Sequence, residues 1–359
     1  MITISLCMIV KNEETMIGQC LESVKHVVDE INIVDTGSTD QTKKIVAAYT
    51  NRIFDYKWRD DFGAARNFSF SKATKDYILW LDADDILLEE DANKLKELKR
   101  TLSPEVNCVT FMYHYASDSD GNPTLVFRRE RLVKRSKNFK WVGFIHEYIG
   151  TEGNTLDADI AVTHKRVHGI SDRNLNIYRK KLSEGIQLST RDLCYYGKEL
   201  YYHRLFDEAI EVLEGFVKGP AWIEDIIDAY CKIGDCYEAK GELQRARKIL
   251  YESFECAPPR AEVIYRIAGT FQKEKKIQEA IFWYNSILSA KMPESSSGFI
   301  SPEYWTWRPH LELCVCYYQI GDIEKSIYHN QQAAQYVPDN ASVKQNIKFF
   351  QTLQLSRRE

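Results

Sequence analysis

The segment Tyr77-Ile78-Leu79-Trp80-Leu81-Asp82-Ala83-Asp84-Asp85 runs through five apolar residues and stops abruptly in three carboxylates within four positions. Anions this close repel one another, and a fold that gathers them at a strand end usually has a cation to neutralise them. Carboxylate oxygens favour a hard divalent ion, Mg²⁺ or Mn²⁺. Such an ion keeps some of its water and takes other ligands from substrate phosphates, where it stabilises the charge growing on a departing diphosphate. The plain alternative is an acidic turn facing water, because short Asp-x-Asp strings are common.

Two other apolar runs end in polar groups of the same kind. Asp35-Thr36-Gly37-Ser38-Thr39-Asp40-Gln41 follows a strand-like run and offers a permissive glycine and a capping box, Ser38 with Gln41, to open a helix. A carboxylate at Asp35 can accept the ring N–H of a pyrimidine such as uracil; ordinary turn chemistry accounts for it equally well. Val10-Lys11-Asn12-Glu13-Glu14 ends the first run. In Asp61-Phe62-Gly63-Ala64-Ala65-Arg66-Asn67, Arg66 and Asn67 fall in the first turns of a helix. There Arg66 suits a diphosphate or a nucleobase edge, or else a surface ion pair. A dinucleotide fingerprint and a phosphate-binding loop with its lysine are both missing, which removes the main support for dehydrogenase and ATPase readings.

These residues need a scaffold that brings strand ends together. From Ile2 to Thr101 β-rich runs alternate with helical patterns, ending in a charged helix near Glu89 to Thr101. That alternation predicts βαβ units, a mostly parallel sheet and ligands at the carboxyl ends of its strands. From Val106 to His164 strands follow one another, including Cys108 to Tyr115 and Thr124 to Lys134, and predict a mixed or antiparallel part. Behind them the period changes. If Gly197, Gly234, Ala268 and Cys314 are equivalent, then Ala209, Ala246, Ala280 and Ser326 stand twelve residues after each, where two helices need small side chains to approach. Pro258 and Pro338 fall where a second helix would stop, and a Pro- and Ser-rich insert, Pro293 to Pro302, lengthens one interval. The pattern resembles tetratricopeptide repeats of about 34 residues, whose concave surface suits a peptide or protein; an unrelated helical bundle is the alternative.

With 359 residues the chain is long enough for two cores. The expected division is 1–185 for the α/β part and 186–359 for the repeats. A net charge of -4, from 52 acids and 48 bases well mixed along the chain, leaves no basic stripe for nucleic acid. No stretch reaches the roughly 18 apolar residues of a membrane span, and Met1 to Val10 reads as a strand and not as a leader. Nine cysteines, an odd number, are then expected to be reduced thiols in a cytoplasm. The pairs Cys231/Cys236 and Cys314/Cys316 read as buried small hydrophobes before metal ligands.

Taken in order, Val10-Lys11-Asn12-Glu13-Glu14, Val34 to Asp40, Ala64-Ala65-Arg66-Asn67 and Asp82-Ala83-Asp84-Asp85 resemble the inverting glycosyltransferases of family 2, of the Rossmann-like GT-A fold. The resemblance covers about the first 170 residues. With the repeats behind it, it extends to bacterial enzymes that glycosylate cysteines of bacteriocin peptides. It implies a UDP-sugar donor bound by three strand ends and a helix: Val10, Asn12 and Glu13; Asp35 and Ser38; Arg66 and Asn67; Asp82 and Ala83. Asp35 and Arg66 would lie near the uracil, Asp82 near the ribose and Asp84 on the metal, with His164 as a further ligand or a structural histidine. Inverting transfer needs one base on the acceptor side. In Trp141-Val142-Gly143-Phe144-Ile145-His146-Glu147-Tyr148 the choice falls on Glu147, with His146 as the alternative. Glu147 departs from the family's commoner Glu-Asp pair, and the Gln-x-x-Arg-Trp motif of processive synthases is missing, so a long polymer is not the expected product. Arg173 either caps the junction between the parts or reaches the diphosphate. The aromatics Tyr304-Trp305-Thr306-Trp307 are expected to be exposed, as a homodimer or acceptor surface. The expected acceptor is a peptide or protein side chain, Cys or Ser. A cell-envelope saccharide, a catalytically inactive binding scaffold and a nucleotidyltransferase are the competing readings.

Overall fold

The structure, a computed structural model, describes residues 1–117, 123–165, 171–292 and 301–356. Arg166 and the insert over 293–300 lie outside them. The chain divides into two compact units, Met1–Ile177 and Tyr178–Glu359, and the division falls within one helix.

The first unit runs β1 (Ile4–Val10), α1 (Ile17–Val24), β2 (Glu30–Asp35), α2 (Thr42–Val46), β3 (Ile53–Asp55), α3 (Phe62–Phe70), β4 (Tyr77–Trp80), β5 (Asp85–Ile86), α4 (Glu89–Thr101), β6 (Cys108–Ser117), β7 (Pro123–Lys134), β8 (Trp141–Val142), β9 (Tyr148–Ile149), β10 (Thr155–His164) and then α5 (Arg173–Ser183). Eight strands form one sheet in the order β3-β2-β1-β4-β7-β6-β10-β5, and β8 pairs with β9 separately. β1 is parallel to both β2 and β4. It is buried on both faces, with Leu6 and Met8 on one and Cys7 on the other, which explains its nearly continuous apolar sequence. Helix α1 covers one face with Ile17, Cys20, Leu21 and Val24, spaced as a single helical stripe. β7 then pairs antiparallel with both β4 and β6. The parallel half is what the alternation of elements predicted, the antiparallel part is what the run of strands after Val106 predicted, and together they fit the α/β GT-A fold that the resemblance implied.

Two local features position the site. β10 returns beside β5 in antiparallel register, with His164 opposite Asp85, so a strand end far along the chain arrives at the acidic motif. Lys165 N also donates to Asp84 O at 2.7 Å. Helix α3 starts at an Asp61 N-cap that accepts from Ala64 N at 2.8 Å. It lies so close to the loop before β9 that a Cβ on Gly63 would stand 2.3 Å from the Gly143 carbonyl oxygen.

Helix α2 starts only at Thr42, and the Ser38–Gln41 capping box expected to open it is not formed. Ser38 Oγ accepts from Asn12 N at 3.0 Å, while Gln41 N donates to Glu14 Oε2 at 2.8 Å. Both groups are used to tie the loop after β2 to the loop after β1.

The second unit consists of helix pairs: α6 (Thr190–Tyr202) with α7 (Phe206–Phe216), α8 (Ile223–Ala239) with α9 (Leu243–Glu252), α10 (Ala261–Lys273) with α11 (Ile277–Ser289), and α12 (Trp307–Gln319) with α13 (Ile323–Tyr336), followed by α14 (Ala341–Ser356). Successive antiparallel helix pairs are what the resemblance to tetratricopeptide repeats implied. The small residues fall where the helices touch: a Cβ on Gly197 would meet Leu213 Cδ2 at 2.4 Å, and Ser326 Oγ donates to the Cys314 carbonyl at 2.6 Å. The turn inside each pair uses one left-handed residue at the equivalent position, Arg204, Gly241, Lys275 and Gly321. Tyr304 and Trp305 are half-buried against the core of the third pair, which corrects the expectation of an exposed aromatic patch. All nine cysteines are free and eight are buried, the two candidate metal pairs among them. Among the described residues no helix is long and apolar enough to cross a membrane.

Candidate functional site

At the end of β4 the three carboxylates separate into different environments. Asp82 faces Arg66, whose Nη2 donates to Asp82 Oδ1 at 2.8 Å. The other edge of the same guanidinium binds Glu147, Nε to Oε1 at 2.6 Å. Arg66 therefore couples the acidic motif to the loop before β9. Its plane lies against Trp80 and Trp141, 5.0 and 4.8 Å from the ring centroids. Burial opposes ionisation of Asp82, but the guanidiniums of Arg66 and Arg131 outweigh it and hold the carboxyl down at about 2.

Asp85 is fully buried and engaged on several sides. Its oxygens accept from Arg131 Nη1 at 2.8 Å, Tyr113 Oη at 3.0 Å and Asp82 N at 3.1 Å, and His164 Nδ1 lies 3.3 Å away. Asp84 is more accessible, with its Oδ1 3.5 Å from the same His164 nitrogen. Burial raises the Asp84 pKa, and the neighbouring charges of Asp82 and Asp85 raise it further while His164 pulls it down. For His164, burial favours the neutral ring, yet the hydrogen bond to Asp85 and the surrounding carboxylates shift its pKa upward.

Asp84, Asp85 and His164 each offer a ligand atom within 4.8 Å of the others. Hard oxygens with one imidazole, in a place overloaded with negative charge, fit a divalent cation such as Mg²⁺ or Mn²⁺. Because Asp85 already satisfies Arg131 and Tyr113, it serves better as the partner that orients His164 than as a ligand itself.

On the other strand ends, Asp35 Oδ1 accepts from Gly37 N and Ser38 N, both at 2.9 Å, while its Oδ2 is buried with no hydrogen-bond partner among the described residues. Its lone pairs are therefore unclaimed within the described residues. Asn12, in the left-handed region, accepts from Thr39 N at 2.8 Å and so shapes the same corner. Glu13 is half-buried, and burial followed by the charges of Asp84, Asp82 and Asp40 pushes its carboxyl up to about 7. The side chains of Val10 and Ala83 are core residues, so only their backbones can meet a ligand. Both ends of the Asn67 amide bind the Trp141 backbone at 2.9 Å, which fastens α3 to β8. Arg173 stacks on Phe62 at 4.8 Å, and its charge reaches Glu13. A broad concavity of about 860 Å³, lined by Asp29, Glu30, Tyr49 and Arg52, involves none of these residues.

Sequence reasoning missed Arg131 and Tyr113, which hold the motif from below. The signal was present as Arg128-Arg129-Glu130-Arg131, a charged run inside a strand-like segment.

Residues 5–153 match the family described as Glycosyl transferase family 2. An uncharacterized glycosyltransferase of Rickettsia felis is 37% identical over 272 residues, covering 70% of this chain and 94% of that one. The chain belongs to glycosyltransferase family 2. This family 2 chain is also similar to a TPR repeat-containing protein of Synechococcus elongatus, 45% identical over 149 residues, covering 42% of this chain and 36% of the relative. It is similar too to the SPbeta prophage-derived glycosyltransferase SunS of Bacillus subtilis, 28% identical over 231 residues, covering 59% and 52%. The chain thus spans about a third and about half of the lengths of these two relatives.

Proposed function

We propose that this chain is an active inverting glycosyltransferase that moves a hexose from a UDP-sugar to a peptide or protein side chain. The observation that carries the reading is the junction of two clusters at one strand end, Asp84 with His164 on one side and Asp82–Arg66–Glu147 on the other. A divalent cation, when bound, would be held by Asp84 and His164 and would neutralise the charge developing on the departing diphosphate. The unpaired Asp35 Oδ2 accepts the uracil N–H, and Asn12 and Ser38 hold the loop that presents it. Asp82, kept ionised by Arg66, accepts from the ribose. The acceptor's nucleophile attacks C1 as the bond to the diphosphate breaks, and its proton passes to Glu147, whose Oε1 is fixed by Arg66 so that Oε2 can receive it.

The acceptor reading rests on the repeats. In the second unit a groove of about 570 Å³ is lined by residues that include Tyr201, Asp235, Tyr265, Arg266, Tyr304 and Glu312. Tyrosine rings and charged groups along a helical groove suit an extended peptide. The division of labour that follows is 1–185 for transfer and 186–359 for presentation of the acceptor.

Hydrolysis of UDP-glucose and UDP-N-acetylglucosamine, followed with and without Mn²⁺, tests the reading. The expected result is metal-dependent release of UDP that Asp84→Ala abolishes. Release and UDP affinity unchanged in both Asp82→Ala and Asp84→Ala would refute it.

A further inference from the structure

Three guanidiniums surround the indole of Trp80. Arg131 lies 4.0 Å, Arg66 5.0 Å and Arg129 5.1 Å from its ring centroid. Two of them have carboxylate partners, Arg66 with Asp82 and Glu147, and Arg131 with Asp85. Arg129 has neither a hydrogen bond nor an ion pair among the described residues, although it is half-buried. Arg131, fully buried, also keeps unused donors, since its Nε and Nη2 have no partner among the described residues.

The strand explains how two arginines come together. β7 shifts register around Arg131, between Glu130 and Leu132, and from this irregular stretch Arg129 and Arg131 both reach the Trp80 ring. β7 pairs with β4 as far as Leu79 opposite Leu132, and beyond that point the charge of Asp82 reaches Arg129. Burial, with the repulsion of Arg131 and Arg66, lowers the Arg129 pKa, while the charges of Asp82 and Glu147 offset part of that shift. A guanidinium stays charged in such a place, and its N–H donors, reached by solvent and bound by no described residue, are available to a ligand. The two carboxylates whose charge reaches it, Asp82 and Glu147, are both committed to Arg66.

We propose that Arg129, backed by the positive charge of Arg131, is a seat for an anionic oxygen of the substrate, a phosphate or a carboxylate. The seat rests on the glycosyl-transfer reading for the identity of the substrate and on nothing else in it. Its chemistry fits two sources: the diphosphate of the donor, or an acidic group on the acceptor close to the atom that is glycosylated. A planar fork of donors binds two oxygens of either.

Calorimetric titration of the whole chain with UDP, uridine and inorganic phosphate, in Mn²⁺, tests this on the wild type, Arg129→Gln and Arg129→Lys. A donor seat gives Arg129→Gln roughly 10- to 100-fold weaker UDP binding with uridine unchanged. An acceptor seat leaves UDP binding unchanged, but inorganic phosphate added to the UDP-saturated wild type binds and that added to Arg129→Gln does not. In both arms Arg129→Lys is intermediate and the melting temperature changes little, because Arg129 makes no hydrogen bond or ion pair among the described residues and lysine keeps a cation beside the Trp80 ring. The proposal is overturned if Arg129→Gln binds UDP and phosphate as the wild type does, or if it lowers only the melting temperature. Wild-type chain that binds phosphate through Arg129 but no UDP would keep the seat and remove the glycosyl-transfer reading.

Discussion

Asp85 and Arg131 form an ion pair at 2.8 Å in which both side chains are completely buried. The pair lies directly beneath the proposed cation site, and Asp85 also meets Tyr113 and His164. Burying two charges gains little by itself, but removing one partner leaves the other charge unpaired in a dry place. Asp85→Asn is therefore expected to cost about 3–5 kcal/mol of stability, read from urea denaturation. Exchanging both residues, Asp85→Leu with Arg131→Met, should recover much of that loss while divalent-cation affinity stays low, because His164 has lost its orienting partner. A loss below about 1 kcal/mol for Asp85→Asn, the size of an exposed pair, would mean that water reaches the site.

Glu13 provides a pH signal. Its carboxyl is raised from 4.5 to about 7, first by burial and then by Asp84, Asp82 and Asp40. A folded-state pKa above the unfolded one means that the folded chain holds a proton the unfolded chain has released. The resulting stabilisation is complete below the unfolded value and is lost as pH rises through the folded one. His164, also shifted upward, adds a loss of the same sign. The cation-free protein should thus be less stable near about pH 8 than near about pH 5, as measured by thermal melts in matched buffers. Glu13→Gln should shrink that difference, and Mn²⁺ should shrink it in the wild type by neutralising the anions that hold the proton on Glu13. A flat profile without cation would show that the Asp82–Asp84 charges do not reach Glu13.

The parallel half of the sheet and the acidic motif were legible because each is written in consecutive residues, an apolar run ending in charge. The pairing of small residues in the repeats was legible for a similar reason, since helix contact demands Gly or Ala at a fixed spacing. What escaped was written across the chain. The Ser38–Gln41 box looked complete locally, but Asn12 and Glu14, brought in by the neighbouring strand, compete for the same groups. The meeting of Glu147 with Asp82 through Arg66 depends on a loop more than sixty residues from the acidic motif. Arg204 and Lys275 occupy left-handed turn positions that glycine holds in the other two repeats, so a search for turn glycines finds only half of them.

Gly63 is the point where that distant loop is held. Phe62 N donates to the Phe144 carbonyl at 2.8 Å, and α3 approaches so closely that a Cβ at position 63 would meet the Gly143 oxygen at 2.3 Å. Gly143 is itself in the left-handed region, at φ 96°, so the loop has little freedom to withdraw. Gly63→Ala must push α3 and the loop apart, and Arg66 rides on the one while Glu147 sits in the other. Overpacking of this kind costs about 1–3 kcal/mol, offset slightly because alanine favours the helix. Turnover should fall further than stability does, since lengthening the 2.6 Å Arg66–Glu147 bond disturbs the proposed base while the Asp35 corner, on another strand, stays intact. The expected outcome is UDP affinity close to wild type with a lowered kcat for UDP-sugar hydrolysis. Equal losses of kcat and UDP affinity would instead mean that α3 moves as a whole and carries Arg66 away from Asp82.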